Sequence, residues 1–288
     1  MLDNSPYFTM IELDETLSTN SFLKDYHPIA PTDITLVTAE YQSAGRGQAG
    51  NSWESERGKN LLFSLQVRPS ALPAASIFVL SEAIALSLRD AVLQILTSDP
   101  YNPAVQSVTP HAVDTIPPVT VKWPNDIYVA DSKIAGILIE NSFLGNNVEH
   151  SIIGCGININ QQNFHFPKFA ASRSDGTPSC PIPVSLFQLL GHETERQIVL
   201  ETIITAFRRR YEAIQVEGAK AITAIHNDFR QALYRREGFH AYRDATGIFN
   251  AEITDVEPSG HLLLCDANGH LRRYAFKEVS FCQEPPQM

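Results

Sequence analysis

The sequence predicts an α+β fold: a largely antiparallel sheet supported by helices, then a small all-β unit. Three observations carry this reading. Between residues 119 and 159 four strand-like runs follow one another across short turns such as Asp131-Ser132 and Gly145-Asn146-Asn147, spacing that suits antiparallel neighbours rather than β-α-β units. Apolar residues at three- and four-residue intervals mark helices elsewhere. From Gly238 to Phe281 the texture changes to short strand-like runs cut by Pro258-Ser259-Gly260 and Ala267-Asn268-Gly269.

Taken in chain order, Ser18-Thr19-Asn20 reads as a helix N-cap. Residues 35–40 form a strand leading into a glycine loop, and residues 60–67 a second strand, after which Pro69 and Pro73 break the chain. A helix runs over 76–96, with Leu80, Ile84, Leu88, Ala91, Val92 and Ile95 in register. Residues 99–118, rich in proline, serine and threonine, read as a surface loop. Strands follow at 119–123, 127–130, 134–141 and 151–159, and an irregular stretch at 163–183. Ser185 caps a short helix ending near Gly191. Thr194 opens a longer one, with Ile203, Phe207, Tyr211 and Ile214 on one face. Arg208-Arg209-Arg210 on that helix reads as a solvated face. A third helix covers 219–233. These elements place a main domain at 1–234 and a β domain at 235–288, the latter a barrel of about 45–50 residues and marginal alone.

Composition removes several function classes. The formal net charge of −10 gives no general attraction to phosphate backbones, so nucleic acid is not an expected partner. Cys155, Cys180, Cys265 and Cys282 form no C-x-x-C pair, so zinc and thioredoxin-like chemistry lack support and four reduced thiols are expected. Residues 1–6 do not read as a signal peptide, and no apolar run reaches the ~20 residues of a membrane span. A soluble, cytoplasmic protein is expected, with no membrane partner.

Four clusters carry chemistry. Gly45-Arg46-Gly47-Gln48-Ala49-Gly50 matches G-x-G-x-x-G, but polar residues 51–60 follow where a dinucleotide fold needs a helix. A flexible hairpin would explain the glycines; Arg46 between them adds a guanidinium suited to carboxylate or phosphate. Trp53 suits either a flat ligand ring or the core. Lys122-Trp123-Pro124-Asn125-Asp126 and Lys133-Ile134-Ala135-Gly136 flank a short hairpin, which brings Asp126 and Lys133 to one sheet end. Gly154-Cys155-Gly156-Ile157-Asn158 places glycines inside a strand, as a bulge or where a ligand meets backbone. Ser18-Thr19-Asn20 offers hydroxyls and an amide to a small polar group.

Together, Ser18-Thr19-Asn20, Glu40-Tyr41-Gln42-Ser43-Ala44 entering the Gly45-Arg46-Gly47 loop, Lys122-Trp123-Pro124-Asn125-Asp126, Lys133 with Ala135-Gly136-Ile137, and Gly154 with Gly156-Ile157-Asn158 resemble the biotin–protein ligase family, from about Ser18 to Asn160. The resemblance implies a mixed, largely antiparallel sheet with helices on one side, as in lipoate ligases and class II tRNA synthetases, and a C-terminal SH3-like barrel. It implies an enzyme that joins biotin to ATP as biotinyl-5′-AMP and passes biotin to a lysine of a biotin carboxyl carrier protein. ATP, biotin and Mg²⁺ are the implied cofactors, with no protein metal ligand assigned. By motif match, Arg46 and Lys133 serve the carboxylate–phosphate junction. Ser18, Thr19, Asn20 and Gln42 contact biotin's ureido end or its surroundings, and Gly136 and Gly154 line its pocket. Gly45, Gly47 and Gln48 belong to the loop over the activated biotin. Trp53, Asn125 and Asn158 contact the nucleotide, and Asp126 helps the acceptor lysine lose its proton. The loop departs from the family's more basic pattern at Gln48 and Asn51, which lowers the charge available to hold the adenylate. Only seventeen residues precede Ser18, so the form expected is the one without an N-terminal DNA-binding domain. Sheet edges leave homodimerisation open.

Overall fold

The computed structural model describes residues 8–27, 32–48, 51–69, 72–102, 116–145, 147–164 and 182–282. The expectations for the chain start, Ala49, Gly50, Cys180 and most of the two irregular stretches lie outside those residues. Seven strands form the main sheet: β1 (Phe8–Thr16), β2 (Ile34–Gln42), β3 (Leu61–Val67), β4 (Val119–Lys122), β5 (Asp126–Val129), β6 (Ser132–Leu144) and β7 (Asn147–Ile157). Their order is β1-β2-β3-β7-β6-β5-β4. β1 and β2 are parallel and every other pair is antiparallel, so the sheet is mixed and largely antiparallel. The parallel pair is joined by a short helix, α1 (Thr19–Asp25).

Strand alternation divides the two faces. Leu36, Phe63, Leu65, Ile153 and Cys155 belong to the main core, which also contains Leu80, Ile84, Ile203 and Phe207. These last come from α2 (Phe78–Ser98) and α4 (Arg196–Glu217), packed with α5 (Ala219–Gln231). Val37 and Ile152, one residue out of phase with that set, pack with Leu23 of α1 in a separate cluster. The three long helices therefore share one face, and α1 occupies the other. That qualifies the expected one-sided arrangement.

Local signals explain the helix ends. Ser185 and Gln188 form a reciprocal capping box on α3 (Leu186–Leu190), and Gly191 ends it at φ 83°. Ser18 stands at the N-cap of α1, but its side chain makes no capping hydrogen bond. The arginine run is also only partly a solvated face. Arg209 is exposed, Arg208 lies over the Phe8 ring, and Arg210 turns inward to pair with Asp90 of α2.

The C-terminal strands β8 (His240–Asp244), β9 (Gly247–Val256), β10 (Leu262–Asp266), β11 (Leu271–Tyr274) and β12 (Ser280–Phe281) form one antiparallel sheet, ordered β11-β10-β9-β8-β12. No pairing joins β11 to β12 among the described residues, so strand hydrogen bonds do not close the expected barrel. The sheet nevertheless curls: Phe249 of β9 stacks on Tyr274 of β11 at 6.1 Å, past the intervening β10. Tyr242, Val256, Leu262 and Leu264 join the main core. Trp123 Nε1 donates to the Gly260 carbonyl at 2.9 Å. No described helix is long and apolar enough to cross a membrane.

Candidate active site

The site lies on the α1 face of the main sheet, opposite the helical core. Its floor follows from strand register. Ser64 of β3, Gly154 of β7 and Leu138 of β6 form one row across the sheet. Leu62, Gly156, Gly136 and Asp126 form the next. Three glycines in neighbouring positions leave bare backbone where side chains would stand. Other groups occupy that space closely: a Cβ on Gly154 would meet Asn20 Oδ1 at 2.2 Å, and one on Gly156 would meet Trp53 Cε2 at 2.4 Å.

One wall is the start of α1. Ser18, Thr19 and Asn20 are buried and line the pocket. The Thr19 backbone N–H donates to Gln42 Oε1 at 2.7 Å. The Ser64 hydroxyl lies 2.7 Å from that of Thr19 and 2.6 Å from Asn20 Oδ1. Asn20 Nδ2 donates to Glu140 Oε2 at 2.9 Å. Three polar groups expected at the ligand, Thr19, Asn20 and Gln42, are thus fixed in one hydrogen-bonded chain through Ser64.

The roof is the glycine loop. A bridge between Arg46 and Ser52 and a Trp53 N–H to Gly45 O bond of 2.9 Å fold it back on itself. Gly45 allows this closeness, since a Cβ there would lie 2.5 Å from Trp53 O. Trp53 lies over Gly156 and Gly136 and lines the pocket. Its Nε1 is buried without a partner among the described residues, as is Gln48 Oε1. The Arg46 guanidinium pairs with Glu140, Nη2 to Oε2 at 2.8 Å and Nη1 to Oε1 at 3.3 Å.

The far wall is the β5–β6 hairpin. Lys133 Nζ lies 2.6 Å from Asp126 Oδ1, as the hairpin spacing predicts. The same ammonium stands 5.7 Å from the centre of the Trp53 ring. Asn125 Nδ2 donates to the Ile137 carbonyl at 2.5 Å, and the Ile137 N–H returns a 3.0 Å bond to Asn125 O, stapling the turn to β6 while Asn125 lines the pocket. About 50 Å³ remains open beneath the loop. A neighbouring cleft of about 460 Å³ shares Gln48, Asn125, Ile137 and Leu138 with it and reaches Gly260 and Phe276 of the C-terminal sheet.

Of the residues singled out from sequence, Ser18, Thr19, Asn20, Gln42, Arg46, Gly47, Gln48, Trp53, Asn125, Asp126, Lys133, Gly136 and Gly154 all line this pocket. Gly45 shapes the loop from behind. Asn158 is buried away from it, its Nδ2 donating to the Val184 carbonyl at 3.1 Å. Ser64 and Glu140 were not singled out, and Gly156 was read only as part of the glycine-bearing strand. Burial works against charge on Glu140, but hydrogen bonds from Lys24 and Asn20 and the Arg46 charge hold its carboxyl below the usual range. Around the pocket Lys24, Arg46 and Lys133 stand against Glu140 and Asp126, one positive charge in excess, which suits an anion.

Comparison with known proteins agrees. A sequence model of the biotin/lipoate A/B protein ligase family matches residues 13–158. The biotin–[acetyl-CoA-carboxylase] ligase of Paracoccus denitrificans is 33% identical over 79% of this chain and 82% of its own length. The bifunctional ligase/repressor BirA of Bacillus spizizenii is 30% identical over 89% of this chain and 70% of its own. In fold, the biotin protein ligase of Aquifex aeolicus superposes with a TM-score of 0.68 at 21% identity, covering 94% of this chain and 97% of that one. Sequence, site geometry and architecture converge, and the chain belongs to the biotin/lipoate A/B protein ligase family.

Proposed function

We propose that this chain is an ATP-dependent biotin–protein ligase that forms biotinyl-5′-AMP and transfers biotin to a lysine of a biotin carboxyl carrier protein. One observation carries the reading. Arg46 of the glycine loop and Lys133 of β6, far apart in sequence, line one glycine-floored pocket whose other wall is the polar Ser18–Asn20 and Gln42 set. The cations suit the meeting of a carboxylate with a phosphate. The polar wall suits a ureido ring, which both donates and accepts hydrogen bonds; the dithiolane of lipoate does neither well. The relatives' names point the same way.

In the first step a biotin carboxylate oxygen attacks the α-phosphorus of ATP and pyrophosphate leaves. Arg46 and Lys133 offset the repulsion between the two anions and hold them in line. Trp53, with its unpartnered Nε1, walls the pocket and offers a donor. In the second step the acceptor amine attacks the acyl carbon and AMP leaves. Lys133, drawn to the ligand, frees Asp126 to take the amine proton as the C–N bond forms. The nucleotide role of Asn125 follows from its place in the turn, and that of Gly45, Gly47 and Gln48 over the activated biotin from their place in the loop. Asn158 acts there only indirectly, through its hold on residue 184.

Among the described residues no group of three or more His, Cys, Asp or Glu could hold a metal. Mg²⁺ therefore fits as an ion carried by the ATP phosphates and water, not one caged by protein. The curled C-terminal sheet is read as an SH3-like unit with its boundary near residues 234 and 235. The net charge of −10 supports a ligase without DNA-binding function, and pairing through a sheet edge would account for a homodimer.

The test is pyrophosphate release with ATP and either biotin or lipoate. Biotin-dependent release is expected, and Lys133→Ala or Arg46→Ala should lower it well over tenfold, within the range of electrostatic catalytic groups. Lipoate-only activity, or undiminished release in both variants, would overturn the assignment.

A further inference from the structure

Glu140 sits on β6 two residues beyond Leu138, on the site's face of the sheet and opposite Ile152 of β7. Both its oxygens are engaged. Oε1 receives Lys24 Nζ at 2.6 Å and Arg46 Nη1 at 3.3 Å. Oε2 receives Arg46 Nη2 at 2.8 Å and Asn20 Nδ2 at 2.9 Å. One carboxylate thus ties three elements together: the sheet, α1 and the loop. The Arg46 contact is two-pronged, which fixes the plane of the guanidinium as well as its place. Arg46 lines the pocket in this arrangement and Glu140 does not, so the pair leaves the guanidinium facing the site. The loop has little else to hold it electrostatically, because Arg46 is the only basic residue between Gly45 and Trp53.

We propose that Glu140 is the positioning residue that aims Arg46 into the pocket and latches the glycine loop over the activated acyl group. The latch is made wholly of the chain's own side chains, Arg46 and Glu140. Where the loop lacks basic residues at Gln48 and Asn51, a fixed anion beneath Arg46 supplies part of the missing grip. The inference rests on the ligase reading for its substrate, but its hold on the loop stands apart from it.

The experiment compares Glu140→Gln with wild type in two readouts. The first is backbone amide exchange of residues 45–53 in the ligand-free protein. The second is escape of biotinyl-AMP after it forms. Glu140→Gln keeps the size of the side chain and removes the charge. Exchange should quicken, and escape should rise by about fivefold, the scale of one well-oriented ion pair. KM for biotin should rise more than kcat falls. In an Arg46→Ala background, Glu140→Gln should add little to either readout. Lys24→Ala, which removes the other cation from the same carboxylate, should leave loop exchange near wild type. Unchanged exchange and escape in Glu140→Gln would overturn the proposal, as would an effect that persists in full without Arg46, since that would mean Glu140 acts through α1. A wild-type protein that makes no biotinyl-AMP would refute the ligase reading, while the exchange data would still decide the latch.

Discussion

Gly156→Ala tests whether the Trp53 contact with the sheet sets the closed position of the loop. A Cβ there would lie 2.4, 2.7 and 2.8 Å from Trp53 Cε2, Nε1 and Cδ2, where ordinary contact begins at 3.4 Å. The ring must therefore retreat by about 1 Å, the difference between 3.4 and 2.4 Å. Gly156 itself sits in a central strand, paired with Leu62 and Gly136 on either side, and cannot yield. Trp53 is half-buried at the end of a loop and can. Overpacking of this kind costs about 1–3 kcal/mol, here drawn from loop closure. At about 1.4 kcal/mol per tenfold, the hold on ligand should weaken by about fivefold to 150-fold. Stopped-flow escape of biotinyl-AMP and the KM for biotin measure this, with thermal unfolding as control. The thermal midpoint should barely move. Wild-type KM and escape, or a large fall in the midpoint with unaltered ligand affinity, would refute the reasoning.

Gly154→Ala should show the opposite balance. Its Cβ would meet Asn20 Oδ1 at 2.2 Å, and Asn20 is held by Ser64 and Glu140, so the strain falls on the fold and thermal unfolding should register about 1–3 kcal/mol lost. His226 on α5 meets the buried Glu82 of α2 at 2.7 Å, with Asp255 of β9 and Arg230 alongside. Its hydrogen bond to Glu82 outweighs burial and raises the imidazole pKa, while burial raises that of Glu82 against the pull of His226. A raised folded-state pKa gives stability that is full below the ordinary histidine value of about 6.5 and lost as pH climbs through the raised one. The stability difference between wild type and His226→Ala should therefore be larger at pH 6 than at pH 9 in denaturant titrations; a pH-independent difference would contradict the pairing. Gln48→Arg places a second cation in the loop and should slow adenylate escape, measured as for Gly156→Ala.

Much of the fold was legible because it rests on local periodicity. Leu80, Ile84 and Leu88 repeat at helical spacing and all are buried. Ser185 and Gly191 bound a helix through their own backbone preferences. β1 was not among the strands expected, although Ile11-Glu12-Leu13-Asp14 alternate apolar and polar as a half-buried edge strand does. β12 was missed because two residues carry no period. The site was visible wherever a residue's chemistry matches its role: arginine between glycines, lysine and aspartate across a hairpin. Gly156 was legible as part of the glycine-bearing strand, since it alternates with Gly154 and so shares its face. Glu140 carried none, because its role depends on Arg46, 94 residues away, and on the register of β6. Asn158 misled because an asparagine beside glycines suits a ligand as well as it suits Val184, and only the fold shows which partner it has.

The proposed function turns on biotin transfer through the pocket beneath Arg46 and Lys133. The most direct measurement incubates the protein with ATP, Mg²⁺ and a biotin carboxyl carrier domain, adding biotin or lipoate, and follows the carrier by streptavidin blotting and mass. One biotin per carrier is expected on its target lysine, dependent on ATP and lost in Lys133→Ala. Carrier labelled by lipoate and not by biotin, or labelled equally well without Lys133, would contradict it.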